Sequence, residues 1–403
     1  MSKERKTIPK LRFPEFLKEG GWKIKSINDV CDILNNVRKP ISSTERNKGP
    51  YPYYGASGII DFIDDYIFDE KLLLVGEDGA KWGAYENTAF LVKGKYWVNN
   101  HAHVLKPKLV NDKLLESYLV KLDLHPYITG AAPPKLTLGK LKEIPVPVPD
   151  NPHEQQKIAS CLSSIDEVIA DHIQKLELLK NHKKGLMQNL FPEEGEKAPK
   201  FRFKEFKKDG DWEKKKLVEI GKITSGGTPN RSNSEFWNGD IPWISTTLVD
   251  FNTINEANEY ITEIGLQNSS AKIFPKNTIL MAMYGQGKTR GKVAILGIEA
   301  ATNQACAAII LKDKYNTDFV FQYLAANYDE IRKMSNSGGQ ENLSGGLIEI
   351  IPIPLPKNPK EQQKIASCLS SLDTLIREHT EKIEQLKLHK KGLMQGLFPK
   401  IIG

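Results

Sequence analysis

The chain contains an internal repeat, which constrains its fold more than any other feature of the sequence. Residues 154–192 and 361–399 match at 28 of 39 positions, with a constant offset of 207. A shorter repeat opens each half, PKLRFPEFLKEGGW at 9–22 and PKFRFKEFKKDGDW at 199–212. Self-similarity of this kind marks repeated structural units. The 403 residues are therefore expected to hold one arrangement twice, a variable block followed by a repeated segment.

Each long repeat predicts one long helix. Prolines alternate with aliphatic residues at 144–149 and 351–356, which forbids helix and favours extended chain. The sequence Asn-Pro-x-Glu follows at 151–154 and 358–361. It supplies an N-cap, a proline at the first helical position and an acidic residue in the first turn. A Phe-Pro pair then ends each repeat, so each helix is expected to stop there.

Apolar residues inside both predicted helices recur in steps of four and three, which indicates a coiled-coil seam. Two matching seams in one chain can pack against each other. A whole domain separates them, so either direction is open, and an antiparallel pair would give a pseudo-twofold molecule. The seam positions are Ile158, Leu162, Ile165, Ile169, His172 and Leu176 in the first helix, and Ile365, Leu369, Leu372, Ile376, His379 and Ile383 in the second.

Some of the seam residues are polar. His172 and His379 are equivalent, and an antiparallel pairing would bring them together. They could form a metal site or a pH switch, or a polar pair that fixes the helix register at some cost in stability. We favour the polar pair. Lys183 and Lys390 are expected to extend their ammonium groups into solvent at the helix ends.

The variable blocks predict mixed α/β domains. Short β-rich runs precede glycine-rich turns, as at 71–79 and 278–287. Weak correspondences, of Asn100-His101-Ala102 with Asn303-Gln304-Ala305 and of 136–138 with 343–345, indicate one fold used twice. The predicted organisation is a domain at 1–150, a helix at 151–192, a domain at 193–357 and a helix at 358–403.

Composition excludes several classes of protein. No run approaches the ~20 apolar residues of a membrane helix, and residues 1–10 lack the apolar stretch of a secretion signal. The four cysteines are too scattered for a disulfide framework or a CxxC zinc site, so a cytoplasmic location is expected. The net charge of +7 is mild. A polyanion would therefore have to be bound by patches or with a partner's help.

No complete catalytic motif is present. Gly287-Lys288-Thr289 resembles the end of a P-loop, but position 282, where a P-loop needs glycine, is alanine. Neither a glycine-rich dinucleotide-binding motif nor the Asn-Pro-Pro-aromatic motif of amino-methyltransferases occurs. His101-x-His103 could ligate a metal but lacks a partner at a telling spacing, so a structural or base-contacting role is favoured. We predict no metal site and no catalytic residue, and interpret the chain as a binding protein rather than an enzyme.

Four features together resemble the DNA specificity (S) subunit of type I restriction-modification systems over nearly the full length. They are the Glu-Gln-Gln-Lys-Ile-Ala helices, the Phe-Pro stops, the Pro-Lys-x-Arg-Phe…Gly-x-Trp openings and the Gly-Gly-Thr-Pro turn at 226–229. The resemblance implies two similar target recognition domains of mixed α/β fold, separated by an antiparallel coiled coil of two long helices.

The same resemblance implies a function and partners. Each domain would read one half of an asymmetric bipartite target in double-stranded DNA. Two modification subunits, which bind S-adenosylmethionine and methylate adenine, would assemble on the chain, and two restriction subunits could join them. The chain itself would hold no cofactor and perform no catalysis.

Polar and aromatic groups at turns are the predicted DNA contacts, because Arg, Lys, Asn and Gln read base edges while Lys, Ser and Thr also bind phosphate. The alternative for any one of them is a solvated loop residue. The first domain contributes Arg38, Tyr53, Tyr54, Ser57, Glu77, Asp78, Lys81, Asn99, Asn100, His101 and Lys135. The second contributes Thr228, Arg231, Tyr284, Gln286, Lys288, Thr289, Arg290, Asn303, Gln304 and Gln340.

Two other functions compete with bipartite DNA reading. One is a site-specific nuclease with its own recognition domains, which metal-dependent cleavage by the purified chain would favour. The other is a coiled-coil scaffold without a DNA role, which a gel shift on random-sequence DNA with the partner present would separate from a DNA reader.

Overall fold

The computed structural model describes residues 6–285, 288–334 and 342–401. The chain forms two compact units: unit 1 is Met1–Gln174 with His379–Gly403, and unit 2 is Lys175–Glu378. Each unit includes half of each long helix. The units therefore cut across the predicted helical segments 151–192 and 358–403.

Short strands and a few helices build unit 1. Its strands are β1 (Lys6–Thr7), β2 (Trp22–Ser26), β3 (Cys31–Ile33), β4 (Lys48–Gly55), β5 (Gly58–Ile63), β6 (Phe68–Asp69), β7 (Leu72–Gly76), β8 (Ala89–Val92), β9 (Lys95–Val98), β10 (Ala102–Pro107) and β11 (Pro145–Val148). Its helices are α1 (Ile27–Val30), α2 (Asp112–Lys121), α3 (Leu138–Glu143) and the start of α4 (Pro152–Leu190), with 3₁₀ turns at Pro14–Phe16 and His125–Tyr127.

Unit 2 repeats this order of elements. Its strands are β12 (Glu213–Lys216), β13 (Gly221–Ser225), β14 (Trp237–Ile244), β15 (Thr253–Ile254), β16 (Glu259–Ile261), β17 (Ile273–Phe274), β18 (Ile279–Ala282), β19 (Val293–Leu296), β20 (Ala300–Thr302), β21 (Cys306–Leu311) and β22 (Pro352–Leu355). Its helices are α5 (Leu217–Ile220), α6 (Glu263–Gln267), α7 (Thr317–Ala326), α8 (Tyr328–Lys333), α9 (Gly345–Glu349) and the start of α10 (Pro359–Leu397), with 3₁₀ turns at Lys204–Phe206, Ser234–Phe236 and Thr246–Leu248.

The two units share most of their sheet topology, and unit 2 has one further strand, β15, at the edge of its first sheet. Unit 1 holds sheets of order β3-β10-β7-β8 and β5-β4-β9-β6, and unit 2 holds β13-β21-β18-β19-β15 and β16-β14-β20-β17. The parallel pair β4/β9 of unit 1 has its counterpart in the parallel pair β14/β20 of unit 2. The predicted fold class, a mixed α/β fold used twice, is confirmed.

The alternating prolines form strands, as predicted. Strand β11 lies at the edge of the sheet β1-β2-β11, and β22 pairs only with β12 in a two-stranded sheet. Proline lacks an N–H, so it is tolerated where one side of a strand has no neighbour. The long helices start directly after these strands, and the amide oxygens of Asn151 and Asn358 accept from the backbone N–H of His153 and Lys360 as predicted caps.

The long helices are antiparallel within each unit. In unit 1, Ile158 and Leu162 near the start of α4 share a core with Leu397 at the end of α10. In unit 2, Ile365 near the start of α10 shares a core with Leu190 at the end of α4. All twelve predicted seam residues are buried or half-buried, so the seam drives the pairing by removing apolar surface from water.

The two seam histidines meet in unit 1. The Nδ1 atoms of His172 and His379 lie 2.8 Å apart. One ring therefore donates a hydrogen bond to the other, and the accepting nitrogen is unprotonated. Among the residues that the structure describes, no group of three His, Cys, Asp or Glu side chains is placed to hold a metal. The geometry is that of the polar pair that fixes register.

The seam lysines differ from the expectation that they reach into solvent. Lys390 donates to Asp166 in unit 1, and Lys183 donates to Asp373 in unit 2. Each pair joins the two helices across the seam. The partner aspartates lie within reach of a half-buried ammonium group, and pairing there costs less than leaving the charge unpaired.

No helix in the described part of the chain is long and apolar enough to cross a membrane.

Candidate nucleic-acid interface

In unit 1 the topology gathers several predicted residues at one sheet edge. Glu77 and Asp78 follow β7, and Asn100 and His101 precede β10. The two strands are antiparallel neighbours that pair Gly76 with Ala102, so the end of one adjoins the start of the other. The segments on either side of this edge must therefore share a surface.

Ion pairs connect these loops. Lys135 Nζ lies 2.9 Å from the carboxylate of Asp78, which also contacts His101 Nδ1. Arg38 Nη1 lies 2.6 Å from Glu77 and donates to the carbonyl of Ala102 at 2.7 Å. Burial alone would raise the pKa of the Asp78 carboxyl, but the hydrogen bonds from Lys135 and His101 hold it below its usual value. Asp78 is therefore an anion, and it offsets the charge of Lys135.

His101 and His103 take different roles. His103 is fully buried, its Nε2 donates to the carbonyl of Leu136 at 2.6 Å, and its Nδ1 accepts from Asn35 at 2.8 Å. Burial lowers the pKa of His103, so this imidazole is neutral and links Leu136 to Asn35 through its two hydrogen bonds. His101 is exposed. The predicted structural role fits His103, and a role in base contact is open only to His101.

Two predicted contacts of unit 1 are buried and used internally. Tyr53 lies within strand β4 rather than at a turn, with 1% of its surface exposed, and its hydroxyl accepts from the Ile41 N–H at 2.9 Å. Asn99 is buried, and its side chain accepts from the His101 N–H at 2.8 Å, which shapes the turn. Their burial and internal hydrogen bonds keep both side chains from contacting DNA directly.

The remaining residues of unit 1 lie nearer the surface. Tyr54 is half-buried against the rings of Phe90 and Tyr96. Ser57, Lys81 and Asn100 are exposed. The polar surface of unit 1 that we call the unit 1 loop surface comprises Arg38, Ser57, Glu77, Asp78, Lys81, Asn100, His101 and Lys135.

Unit 2 has the same turn, which corrects the predicted correspondence by one residue. The side chain of Asn303 accepts from the Ala305 N–H, as Asn99 accepts from His101. Asn303 is therefore equivalent to Asn99, and Gln304 to Asn100. The sequence pattern paired Asn100 with Asn303 because both are asparagines two residues before an alanine. The hydrogen bonds of the turn pair Asn99 with Asn303 instead. Gln304 is exposed.

The Gly-Gly-Thr-Pro turn in unit 2 depends on its glycines. A Cβ on Gly226 would lie 1.9 Å from the carbonyl oxygen of Thr302, and one on Gly227 would lie 2.2 Å from Ser270 Oγ. No side chain fits at either position. This close packing brings Thr228 to Gln304, and its hydroxyl donates to the Gln304 amide oxygen.

Arg231, in the loop before β14, lies over tryptophan rings. Its guanidinium carbon is 3.9 Å from the ring centre of Trp237 and 4.8 Å from that of Trp243. Both terminal nitrogens donate to the carboxylate of Glu259, Nη2 at 3.1 Å. The hydrogen bond from Arg231 lowers the pKa of Glu259. A flat cation is thus held in place on an exposed face of unit 2.

The loop after β18 contains both exposed and buried residues. Tyr284 and Lys288 are exposed and Thr289 is half-buried. Arg290 is buried, and its Nη2 donates to the carbonyl of Arg332 at 3.3 Å, so the predicted DNA contact by Arg290 is replaced by an internal one. Gln286 and Gln340 lie outside the described residues. We call Thr228, Arg231, Tyr284, Lys288 and Gln304 the unit 2 loop surface.

Sequence reasoning missed two features of these surfaces. Trp237 and Glu259 hold Arg231, but Glu259 is 28 residues from it and no spacing rule joins them. In unit 1, Ile59, Ile60 and Phe62 expose about half of their surface on the edge strand β5. The only available signal there was the broken alternation of the sequence Gly-Ile-Ile-Asp-Phe-Ile.

Comparison with known proteins shows that the chain is similar to members of one family. Residues 19–181 and 209–388 match the family model of the type I restriction modification DNA specificity domain. A putative type I restriction enzyme specificity subunit of Haemophilus influenzae is 29% identical over 380 residues, covering 92% of either chain. The EcoR124I/EcoR124II specificity subunit of Escherichia coli is 30% identical over 261 residues, 62% of this chain and 60% of its own.

Solved structures support the fold. The S subunit of a type I restriction-modification system from M. genitalium superimposes with a TM-score of 0.70 at 17% identity, over 98% of this chain and 100% of its own. A chain from a structure on complex assembly and conformational transition of the type I system matches with a TM-score of 0.53 at 15% identity, over 98% of this chain and 100% of its own.

Proposed function

The chain belongs to the type I restriction-modification DNA specificity family, and on that premise we propose that it reads an asymmetric bipartite target, one half with each unit. It is a DNA sequence-specificity subunit and a non-catalytic one. The alternative of a nuclease with its own recognition domains finds no support among these relatives.

One observation carries the bipartite proposal: the units share topology but present different side chains at equivalent positions. Asn100 in unit 1 is replaced by Gln304 in unit 2, and His101 by Ala305. Base discrimination comes from donors and acceptors on side chains that reach the groove. Two copies of one scaffold with unlike loop residues are suited to read two unlike half-sites.

The partners we propose are two modification subunits that bind S-adenosylmethionine and methylate adenine within the target, with two restriction subunits able to join. No residue of this chain is proposed to hold that cofactor. Large apolar side chains are exposed on the long helices, among them Leu178 on α4 at 61% and Leu388 on α10 at 68%. Because the helix starts are repeated, two copies of one partner can be accommodated. We place this assembly in the cytoplasm, which the free thiols of all four cysteines favour.

Methylation-sensitive long-read sequencing of DNA from cells that express the chain with its modification subunit tests the proposal. We expect methylated adenines in one motif with two unlike halves and a fixed gap. Replacing residues 213–343 with the matching block of a related chain should change one half and preserve the other half and the gap. Methylation without a common motif, or a chimera that alters both halves, would contradict the assignment of one half-site to each unit.

A second measurement tests the partner surface. Leu178→Asp or Leu388→Asp adds a charge to an exposed helix position, where it costs little in the free chain but is expensive in a buried interface. We expect the chain to stay folded and to lose its modification subunits in size-exclusion chromatography. Intact complexes from both variants would show that the partner binds elsewhere.

A further inference from the structure

Arg231 of unit 2 is an exposed cation whose charge is already neutralised. Its side chain is 53% exposed and that of its partner Glu259 is 39% exposed. The two terminal guanidinium nitrogens meet the two carboxylate oxygens side by side. This is the forked geometry in which arginine also binds a phosphate group or the edge of guanine.

Groups other than Glu259 also position Arg231. The ring of Trp237 supports the guanidinium from below, and Trp237 is anchored by its own indole nitrogen, which donates to the Asn230 carbonyl at 3.1 Å. The side chain of Asn230 accepts from the backbone N–H and the hydroxyl of Ser232. The loop would therefore present the same cation if the carboxylate were absent.

Both side chains of this ion pair are largely exposed, and solvent weakens an exposed ion pair, so the fold does not depend chiefly on the Glu259 carboxylate. Glu259 lies on β16, the edge strand of its sheet. A carboxylate on an exposed edge, beside a residue of the unit 2 loop surface, repels the phosphates of DNA. Its presence needs a reason other than packing.

We propose that Glu259 masks Arg231 in the free protein, and that a bidentate acceptor of duplex DNA displaces the carboxylate from the guanidinium on binding. This inference rests on the proposed DNA-reading function. The mask lowers affinity for DNA that cannot offer an acceptor at the right place, and where that acceptor is a guanine, Glu259 is a specificity-determining residue. The acceptor is a backbone phosphate or the O6 and N7 atoms of a guanine.

Unit 1 shows the same arrangement with other residues. Asp78 contacts both Lys135 and His101, whose side chains are 41% and 51% exposed. A cation predicted to contact DNA is thus paired with an acid in each unit, Lys135 with Asp78 and Arg231 with Glu259.

The test measures binding of the full chain to a random-sequence duplex and to an alternating dA·dT duplex by fluorescence anisotropy, at about 50 and about 200 mM salt. Glu259→Gln should bind the random duplex about two- to fivefold more tightly at low salt, the factor equivalent to an exposed ion pair. The gain should shrink at the higher salt, where exposed charges are screened. An equal gain on dA·dT identifies a phosphate acceptor, and a gain confined to the random duplex identifies guanine.

Glu213→Gln is the matched control. Glu213 is also exposed and paired, with Lys215 at 3.3 Å in the two-stranded sheet, so its loss changes the net charge equally. We expect that variant to bind like the parent. Glu259→Ala repeats the measurement if thermal melting shows the glutamine variant to be unstable.

A double-mutant cycle separates masking from simple repulsion. In an Arg231→Gln background nothing is left to unmask, so Glu259→Gln should produce no gain. A gain that persists there, or one that Glu213→Gln matches, would overturn the masking. If the parent and every variant fail to bind any duplex, with or without the modification subunit, the proposed function falls as well.

Discussion

The indole nitrogen of Trp22 donates to the carboxylate of Glu154 at 3.2 Å, whereas Trp212, its counterpart in the second copy, has a buried indole nitrogen with no hydrogen-bond partner. In both units an arginine from the opening repeat pairs with the first-turn glutamate of a long helix, Arg12 with Glu154 and Arg202 with Glu361. The repeat motif thus fixes the start of each helix, but only one copy completes the network.

We predict that Trp22→Phe destabilises the protein more than Trp212→Phe. Both changes remove the same atoms from a core. Only the first breaks a hydrogen bond to a charged group, while the second removes a donor that is already unsatisfied, so the costs should differ by about 1–3 kcal/mol. Urea unfolding of the two variants measures the difference. Equal losses would mean that the indole nitrogen of Trp22 contributes nothing.

The seam lysines provide a second matched pair. Asp166 accepts from Lys113 as well as Lys390, and although burial would raise its pKa, these two bonds lower it. Asp373 accepts from Lys183 and from the neutral amide of Gln322.

Lys183→Met should therefore cost more stability than Lys390→Met, because Asp373 is left without a cationic hydrogen-bond partner while Asp166 keeps Lys113. We expect the difference to be about 1.5 kcal/mol, the lower end of the range for a net hydrogen bond to a charged group. Thermal unfolding of both variants checks the order. The reverse order would show that the seam tolerates an unpaired Asp373.

Asp318 stands at the second position of α7, where α2 has Lys113. Partial burial and the nearby Asp373 raise the pKa of Asp318. The folded protein then holds the proton more strongly than the unfolded chain, so this residue makes the free energy of unfolding fall as pH rises from about its unfolded value through the folded pKa.

Asp318→Asn removes that fall. The variant should match the parent in acid and exceed it at neutral pH, by less than about 1 kcal/mol because the side chain is exposed. Urea unfolding at a series of pH values measures the effect. A variant that is less stable than the parent at neutral pH would contradict the sign.

The sequence predicted the helices well because their information is local. Caps, prolines and heptad steps lie within a few residues of each other, and the bounds 151–192 and 358–403 enclose the observed α4 and α10. The internal partners of the predicted DNA contacts could not be predicted in the same way. Arg290 faces Arg332, and Arg231 faces Glu259, and such pairings depend on how distant loops meet. Residue type alone also failed to separate Asn99, which shapes its turn, from the exposed Asn100.

The last prediction uses the corrected equivalence of Asn100 and Gln304. Each side chain follows the same asparagine turn, is exposed and carries an amide that can read a base edge through two hydrogen bonds. Asn100→Ala should weaken recognition of the half-site read by unit 1, and Gln304→Ala that of the half-site read by unit 2. Each loss should be about 1–3 kcal/mol if the amide makes a bidentate contact.

Binding of the assembled complex to duplexes in which one half-site at a time is scrambled measures both losses. Each variant should lose its discrimination for one half and keep it for the other, because the two amides stand on separate scaffolds. Asn99→Ala is not a suitable control, since its side chain shapes the turn itself. Ser42→Ala, at an exposed loop position of unit 1 outside the unit 1 loop surface, should leave both halves unchanged. A single substitution that weakens both halves equally would show that the loops act on assembly rather than on base reading.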